Sequence, residues 1–294
     1  MEVAGVRLTN PARVLYPEQG LTKRDLAVFY ETIADWILPH LAGRPLMIVR
    51  CPEGHAKNCF YQKHMNETVP AAVKSVEIEE DDGTVRYLMV DDLQGLVSLA
   101  QMGVLELHVW GARAARIETP DRMVFDLDPD VGLEWKRVVD AASLVRRRLA
   151  DAGLKSWVKT TGGKGLHVVV PLSGKQNWDE VKGFSQAVAE RLAAEAPDRY
   201  TSKMSKAGRK GKIFIDYLRN GRGATAVAAY STRARPGAPV SVPITWEELE
   251  TIDPRELTIA TVPPRLAAVK RDPWKDLWNM RQSITRAARL SVKS

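Results

Sequence analysis

Two aspartates, Asp126 and Asp128, stand one residue apart in RMVFDLDPD, residues 122 to 130. The stretch begins like a buried strand, and residues i and i+2 of a strand share a face with Cα atoms about 6.5 to 7 Å apart. The two carboxylates therefore converge while Phe125 and Leu127 enter the core. Like charges this close repel unless a cation lies between them. Hard oxygen ligands suit Mg²⁺ or Mn²⁺, and two such ions about 3.5 to 4 Å apart serve in-line phosphoryl or nucleotidyl transfer. Pro129 follows and closes the strand, which puts the acids at a rim. D-x-D is a short pattern, however, and the same acids also occur where a strand end caps a turn or a helix.

A third acid bears on that choice. From Arg199 to Arg235 there are ten Lys or Arg residues and one acid, Asp216, set inside the apolar strand IFIDYL. A carboxylate so placed is either the partner of a neighbouring Arg or a third metal ligand. TTGGKGLHVVV, 160 to 170, adds an anion-binding pattern. Gly162, Gly163 and Gly165 let backbone N–H groups approach an anion, Thr161 offers a hydroxyl, and Lys164 and His167 offer cationic or hydrogen-bonding groups. No Walker A arrangement is present, and a tight glycine hairpin with an incidental lysine is the competing reading. Arg219, Arg222, Arg233 and Arg235 follow Asp216 and can clamp phosphates or a template strand. The run Lys203, Lys206, Arg209, Lys210 and Lys212 reads as a solvated loop.

Near the start, Asn10, Arg13 and Lys23 bracket a loop suited to a terminal phosphate. Phe60 and Tyr61 either stack on a base or belong to the core. CPEGHAKNCFYQKH holds Cys51, His55, Cys59 and His64, but without a C-x2-C knuckle, so it reads as a loop with packed thiols and exposed imidazoles rather than a zinc site.

The elements that must position these groups follow from periodicity. Thr22 with Asp25 forms a capping box for a helix to about Leu38, where Pro39 ends it. LMIVR, 46 to 50, is a strand, and VEIEE and VRYLMV flank an Asp82-Gly83 turn. A helix near 92 to 102 precedes VLELHVW, whose alternation reads as a half-buried strand with Glu106 and His108 on one face. A helix over 133 to 152, strands at SWVKT and LHVVV, and a helix over 178 to 195 lead to the strand KIFIDYL. TAVAAYS continues the strand pattern, and Trp274 and Trp278 pack a short-helical tail. Strands and helices do not alternate strictly and no dinucleotide fingerprint occurs, so the class is mixed α+β.

With 294 residues, 45% of them hydrophobic, the chain can bury a large core. Its 43 Lys+Arg against 36 Asp+Glu give a formal charge of +7, which favours anionic partners. The absence of a long apolar segment and the cysteine count of two point to a cytoplasmic protein in a reducing compartment, with no membrane partner.

FDLDPD, TGGKGLHV and IFIDYLRNGRGATAVAAYSTRARPGAPVSVPI, in this order, closely resemble the polymerase domain of bacterial ligase D, in the archaeo-eukaryotic primase superfamily. The resemblance runs over nearly the whole chain. It implies a primase-polymerase fold, two mixed or antiparallel β-sheets flanked by helices. It also implies one domain over 1–294, made of two interlocked lobes with a helical tail at about 263–294. By the same resemblance Asp126, Asp128 and Asp216 are the catalytic, metal-binding acids, with two Mn²⁺ or Mg²⁺ ions. Thr161, Gly162, Gly163, Lys164, His167, Arg219 and Arg233 hold an incoming NTP or dNTP, joined by His108. Asn10, Arg13 and Lys23 match a pocket for a 5′-phosphate on DNA, and Phe60 and Tyr61 a pair that stacks on template.

The activity implied is a nucleotidyltransferase that extends primer 3′ ends at 5′-phosphorylated gaps and double-strand breaks in non-homologous end joining, with a preference for ribonucleotides. Ku and a DNA ligase are the implied partners, and recruitment to the nucleoid during repair the implied setting. No Lys-x-Asp-Gly ligation motif is present, so the chain reads as a stand-alone polymerase or a piece of a larger enzyme. A stand-alone primase uses the same acids, and an end-bridging module with weak catalysis uses the same DNA contacts. A D-x-D glycosyltransferase fits the basic segment and the glycine loop poorly.

Overall fold

The computed structural model describes residues 1–269 and 271–292. Lys270, Lys293 and Ser294, which fall in the expected tail, lie outside the described residues. The chain divides into two compact units, one of Met1–Trp110, Val227–Val242 and Arg255–Lys270, the other of Gly111–Ala226, Pro243–Pro254 and Arg271–Ser294. Both combine sheet and helix in the mixed α+β class.

The second unit is built on a sheet ordered Tyr200–Thr201, Ile213–Asp216, Arg122–Pro129, Leu166–Pro171, Trp157–Thr160 and Pro243–Ile244. Its neighbours are antiparallel apart from the parallel first pair. Alternation sorts its residues by face. Met123, Phe125, Leu127, Leu166, Val168 and Ile215 join a core with the helices Trp135–Asp151 and Trp178–Glu195, through residues such as Val145, Leu149, Phe184 and Val188. Burying each such aliphatic or aromatic side chain contributes about 1.5 to 3 kcal/mol. The alternate residues Asp126, Asp128, His167, Lys159 and Asp216 are thereby turned to the opposite face. Asn177 starts the second helix with a complete capping box to Glu180.

In the first unit the strands Val104–Trp110, Leu46–Arg50, Gly83–Met89 and Lys74–Glu80 pair in that order, and Phe60–Gln62 pairs with Leu46–Arg50. The hairpin at Asp81 and Asp82 falls where the Asp-Gly signal puts it. Thr22 and Asp25 form the expected capping box.

Several expectations are corrected. The helix from Lys23 stops at Thr32, and a second runs Ala34–Leu41 with Pro39 inside it. Ile33 leaves helical geometry at φ −105°, ψ 15°, so the break precedes the proline. Val104–Trp110 is buried on both faces rather than one, because residues 228 to 232 pack along it. Ala228 N–H donates to Leu107 O, Ser231 Oγ accepts from Leu107 N, and Thr232 Oγ1 donates to Leu105 O. TAVAAYS is strand only over Thr225–Val227, and Tyr230 then takes a left-handed φ of +66°. KIFIDYL ends as a strand at Asp216, after which Leu218–Asn220 turns. Cys51 and Cys59 are a disulfide and not packed thiols, which removes them as a sign of a reducing compartment. No helix among the described residues is long and apolar enough to cross a membrane.

Candidate active site

Asp126 sits between two strands, with Asp216 as its register partner on one side and His167 on the other. Lys159 is the partner of His167 one strand further. Four side chains, Asp216, Asp126, His167 and Lys159, therefore form a row across the sheet, and Asp128 follows Asp126 on the same face. Directly opposed like charges destabilise a sheet, so the local electrostatics are organised around Asp126 and Asp216.

Arg219 bridges them, with Nε 3.3 Å from Asp126 Oδ2 and 3.2 Å from Asp216 Oδ2. His167 Nε2 lies 3.4 Å from Asp126 Oδ1. Burial works to raise the Asp126 carboxyl, but His167, Arg219 and Lys159 together hold it well below the usual carboxylate range. Asp216 moves the other way: burial and the facing Asp126 charge push its carboxyl up against the pull of Arg219 and the Leu218 N–H. Two carboxylates with opposite shifts are the mark of a site whose charges are set by environment. Burial and the Lys159 charge lower His167 to about 4, so its ring is neutral near pH 7.

Asp128 lies further out, 46% exposed, with Arg209 Nη1 3.5 Å from Oδ2 and Lys164 Nζ 3.9 Å from Oδ1. Arg209 also stacks on Phe214, 3.8 Å from the ring centroid. That stacking fixes one residue of the basic run in place, where the sequence suggested only a solvated loop. The turn after Asp216 is pinned by Asn220. Its side chain accepts from Val124 N at 2.7 Å and donates to Val124 O at 2.8 Å and Ser185 Oγ at 3.0 Å. A buried side chain that satisfies both backbone groups of a strand residue acts as a piece of ladder.

The glycine loop packs beside the acids. Gly162 takes a left-handed φ of +65°, and a Cβ on Gly165 would come within 2.5 Å of the Leu127 carbonyl, so only glycine permits this approach. Thr161 closes the loop: its N–H and Oγ1 both donate to Gly165 O, at 3.2 and 3.1 Å. Its hydroxyl is thus engaged within the loop. Gly163 is half-buried and Lys164 exposed at the tip.

The other expected residues belong to the first unit. Lys23 is buried, 5% exposed, and its Nζ donates to Thr9 O at 2.9 Å. Burial and the charges of Arg13 and Arg50 lower its pKa. Arg13 Nη1 donates to Pro52 O at 2.9 Å, and Asn10 adopts φ +49° at the head of the turn. Arg50, which the sequence left unassigned, thus joins Arg13 and Lys23, and its guanidinium stands 5.7 Å over the Phe60 ring. Phe60 and Tyr61 are 46% and 75% exposed, so neither is a core residue.

His108 and Arg233 meet through Glu106, a residue the sequence reading did not single out for a role. Its Oε2 lies 2.8 Å from His108 Nε2 and 3.0 Å from Arg233 Nε, and Oε1 accepts from Ala234 N at 2.9 Å. Burial raises the Glu106 carboxyl, yet His108, Arg233 and the Ala234 N–H overcome it and bring it to about 2. The i, i+2 spacing of two polar groups in VLELHVW was the available signal.

Among the described residues no group of three His, Cys, Asp or Glu side chains is gathered closely enough to hold a metal ion. The donor set is nevertheless hard: Asp126, Asp128 and Asp216 share one face with no thiolate, which suits Mg²⁺ or Mn²⁺. Of the cations now neutralising them, Arg219 and Lys164 are exposed side chains and Arg209 is half-buried.

A family model described as LigD, primase-polymerase domain, matches residues 22–274. The chain is 42% identical over 288 residues to the Multifunctional non-homologous end joining protein LigD of Pseudomonas aeruginosa, covering 97% of this chain and 34% of that protein. It is 35% identical over 263 residues to the protein of the same name from Mycolicibacterium smegmatis, covering 89% of this chain and 34% of that one. It thus spans about a third of the length of these relatives. The fold is also that of the Polymerase Domain from Mycobacterium tuberculosis Ligase D in complex with DNA, with TM-score 0.86, 34% identity, and coverage of 94% of this chain and 99% of that one. With the family model spanning most of its length, the chain belongs to the LigD primase-polymerase domain family.

Proposed function

We propose that the chain is a DNA-end repair polymerase, a nucleotidyltransferase that adds ribo- or deoxynucleotides to primer 3′ ends at 5′-phosphorylated gaps and broken ends. The observation that carries this reading is the register pairing of Asp126 with Asp216, with Asp128 on the same face and the glycine loop alongside. Both units, in this reading, serve one polymerase domain.

Asp126, Asp128 and Asp216 would hold two divalent cations, Mn²⁺ or Mg²⁺, which when bound activate the primer hydroxyl and stabilise the departing pyrophosphate. The chain's own residues do the rest. Arg219, Arg209 and Lys164 carry positive charge to the acids and are placed to meet triphosphate oxygens. Neutral His167 donates to Asp126 and holds that carboxylate in one orientation, much as outer groups orient metal ligands. Thr161, Gly162 and Gly163 shape the loop that receives the nucleotide. His108 and Arg233, coupled through Glu106, are the first unit's nucleotide-binding residues in this reading.

Asn10, Arg13 and Lys23, with Arg50 added, form the 5′-phosphate pocket. A buried lysine that donates to the Thr9 carbonyl and lies 3.5 Å from the Gln101 amide oxygen, close to two arginines, favours an anion. Phe60 and Tyr61 offer exposed aromatic surface for template bases. Ku and a ligase are the partners that end joining supplies. The test is extension of a 5′-phosphorylated gapped duplex, which Asp126→Ala or Asp216→Ala should abolish with the fold intact.

A further inference from the structure

The Cys51–Cys59 disulfide is placed to act on the phosphate pocket. Arg50 and Phe60 are the last register partners of their two strands, and the disulfide joins the very next residues, Cys51 and Cys59. It therefore closes the loop over residues 52 to 58 at its base. That loop is seated on the segment that carries Arg13. Pro52 O accepts from Arg13 Nη1 at 2.9 Å, and His55 N–H donates to Leu15 O at 2.9 Å. Gly54 takes φ +93° so closely against Val14 and Leu15 that a Cβ there would sit 3.0 Å from both carbonyl oxygens. His55 Nε2 lies 2.7 Å from Glu18 Oε2. One covalent bond thus sets the spacing of Arg13, Arg50, Phe60 and Tyr61.

The two sulfurs differ in access: Cys51 is fully buried, whereas Cys59 is exposed. An exposed cysteine beside a buried partner is the arrangement of an attacking thiol and a resolving one.

We propose that Cys51 and Cys59 form a reversible thiol–disulfide switch that exchanges with a low-molecular-weight thiol/disulfide couple, the disulfide form holding the phosphate pocket in its binding shape. The second half rests on reading Asn10, Arg13 and Lys23 as that pocket. In the oxidising direction the Cys59 thiol gives up its proton and attacks one sulfur of the small disulfide. That S–S bond breaks, and one small thiol leaves with a proton. The Cys51 thiol, losing its proton, then attacks Cys59 Sγ in the mixed disulfide and expels the second small thiol. Two cysteine thiols are oxidised by two electrons, and one small disulfide is reduced to two thiols.

The test equilibrates the full chain across ratios of reduced to oxidised glutathione. Alkylation and intact mass count its thiols, and fluorescence anisotropy measures binding to gapped duplexes with 5′-phosphate or 5′-hydroxyl. The thiol count should pass from two to none across the ratios. Reduction should weaken binding of the phosphorylated gap roughly five- to tenfold, the scale of one ordinary hydrogen bond. The hydroxyl gap should change less, and Cys59→Ser should match the reduced wild type at every ratio. Two thiols at all ratios would overturn the switch. Equal affinities of the oxidised and reduced forms, or a redox response that persists in Cys59→Ser, would overturn its control of DNA binding. Equal binding of the two duplexes by the oxidised protein would overturn the pocket reading and the coupling with it, while the thiol count still reads the exchange.

Discussion

Asp126 and Asp216 face each other as register partners on antiparallel strands, and the Arg219 guanidinium lies 3.3 Å from one carboxylate and 3.2 Å from the other. A sheet selected for stability alone would not oppose two acids at its centre. Arg219 lessens the repulsion without removing it, since burial and Asp126 still push the Asp216 carboxyl up. The arrangement makes sense as a place kept for stronger cations.

A stability measurement follows directly. Replacing Asp216 by Asn removes one of the opposed charges while its side-chain oxygen still accepts from Leu218 N, at 2.8 Å in the wild type. Asp216→Asn should unfold at the same temperature as wild type or higher, by the equivalent of about 0.5 to 1 kcal/mol. Mn²⁺ should raise the wild-type melting temperature and leave that of Asp216→Asn nearly unchanged. Thermal denaturation with and without Mn²⁺, and after chelator, reads both effects.

Gly165→Ala should detach the glycine loop from the acid strand. Its new methyl would meet the Leu127 carbonyl at 2.5 Å, and backbone cannot yield as a flexible side chain does. A loss of about 1 to 3 kcal/mol is the usual scale for such overpacking. The functional sign is a higher KM for the nucleotide, measured by single-nucleotide extension.

The Glu106 cluster predicts an acid-sensitive contribution to stability. Its carboxyl sits near 2 in the folded chain against an ordinary 4.5. The folded form therefore binds its proton less readily than the unfolded form does. The contribution is complete above about pH 4.5 and disappears as pH falls toward 2, at most about 3 kcal/mol. Denaturant unfolding of wild type and Glu106→Gln should differ most near neutral pH and converge under acid.

Lys23→Met keeps the apolar stem and removes the buried ammonium. It should weaken binding of a 5′-phosphorylated gap by about 1.5 to 3 kcal/mol, the worth of a hydrogen bond to a charged group. The 5′-hydroxyl gap should bind nearly as before. Parallel titrations of the two duplexes separate this from a general loss of DNA affinity.

Much of the site was legible because it depends on local periodicity. Asp126 and Asp128 share a face by strand alternation, and Asp216 betrayed itself as the one acid in a basic stretch. What escaped depends on tertiary partners. Arg209 looked like one cation among several until Phe214 gave its guanidinium a surface to stack on. Glu106 looked like half of a polar face, since nothing nearby announces that Arg233 and Ala234 return to it across more than a hundred residues. The Cys51–Cys59 bond follows from the pairing of Arg50 with Phe60, a register no cysteine count can supply. The break at Ile33 was masked by Pro39, a stronger breaker on paper that is accommodated inside the second helix.

The most direct measurement is primer extension on a 5′-phosphorylated gapped duplex, with ribo- and deoxynucleotides in Mg²⁺ and in Mn²⁺, comparing wild type with Asp126→Asn and Asp216→Asn. Wild type should add nucleotides across the gap with either metal and none after chelation, and both variants should be inactive while melting at or above the wild-type temperature. Full extension by either folded variant, or extension by wild type without divalent metal, would contradict the account.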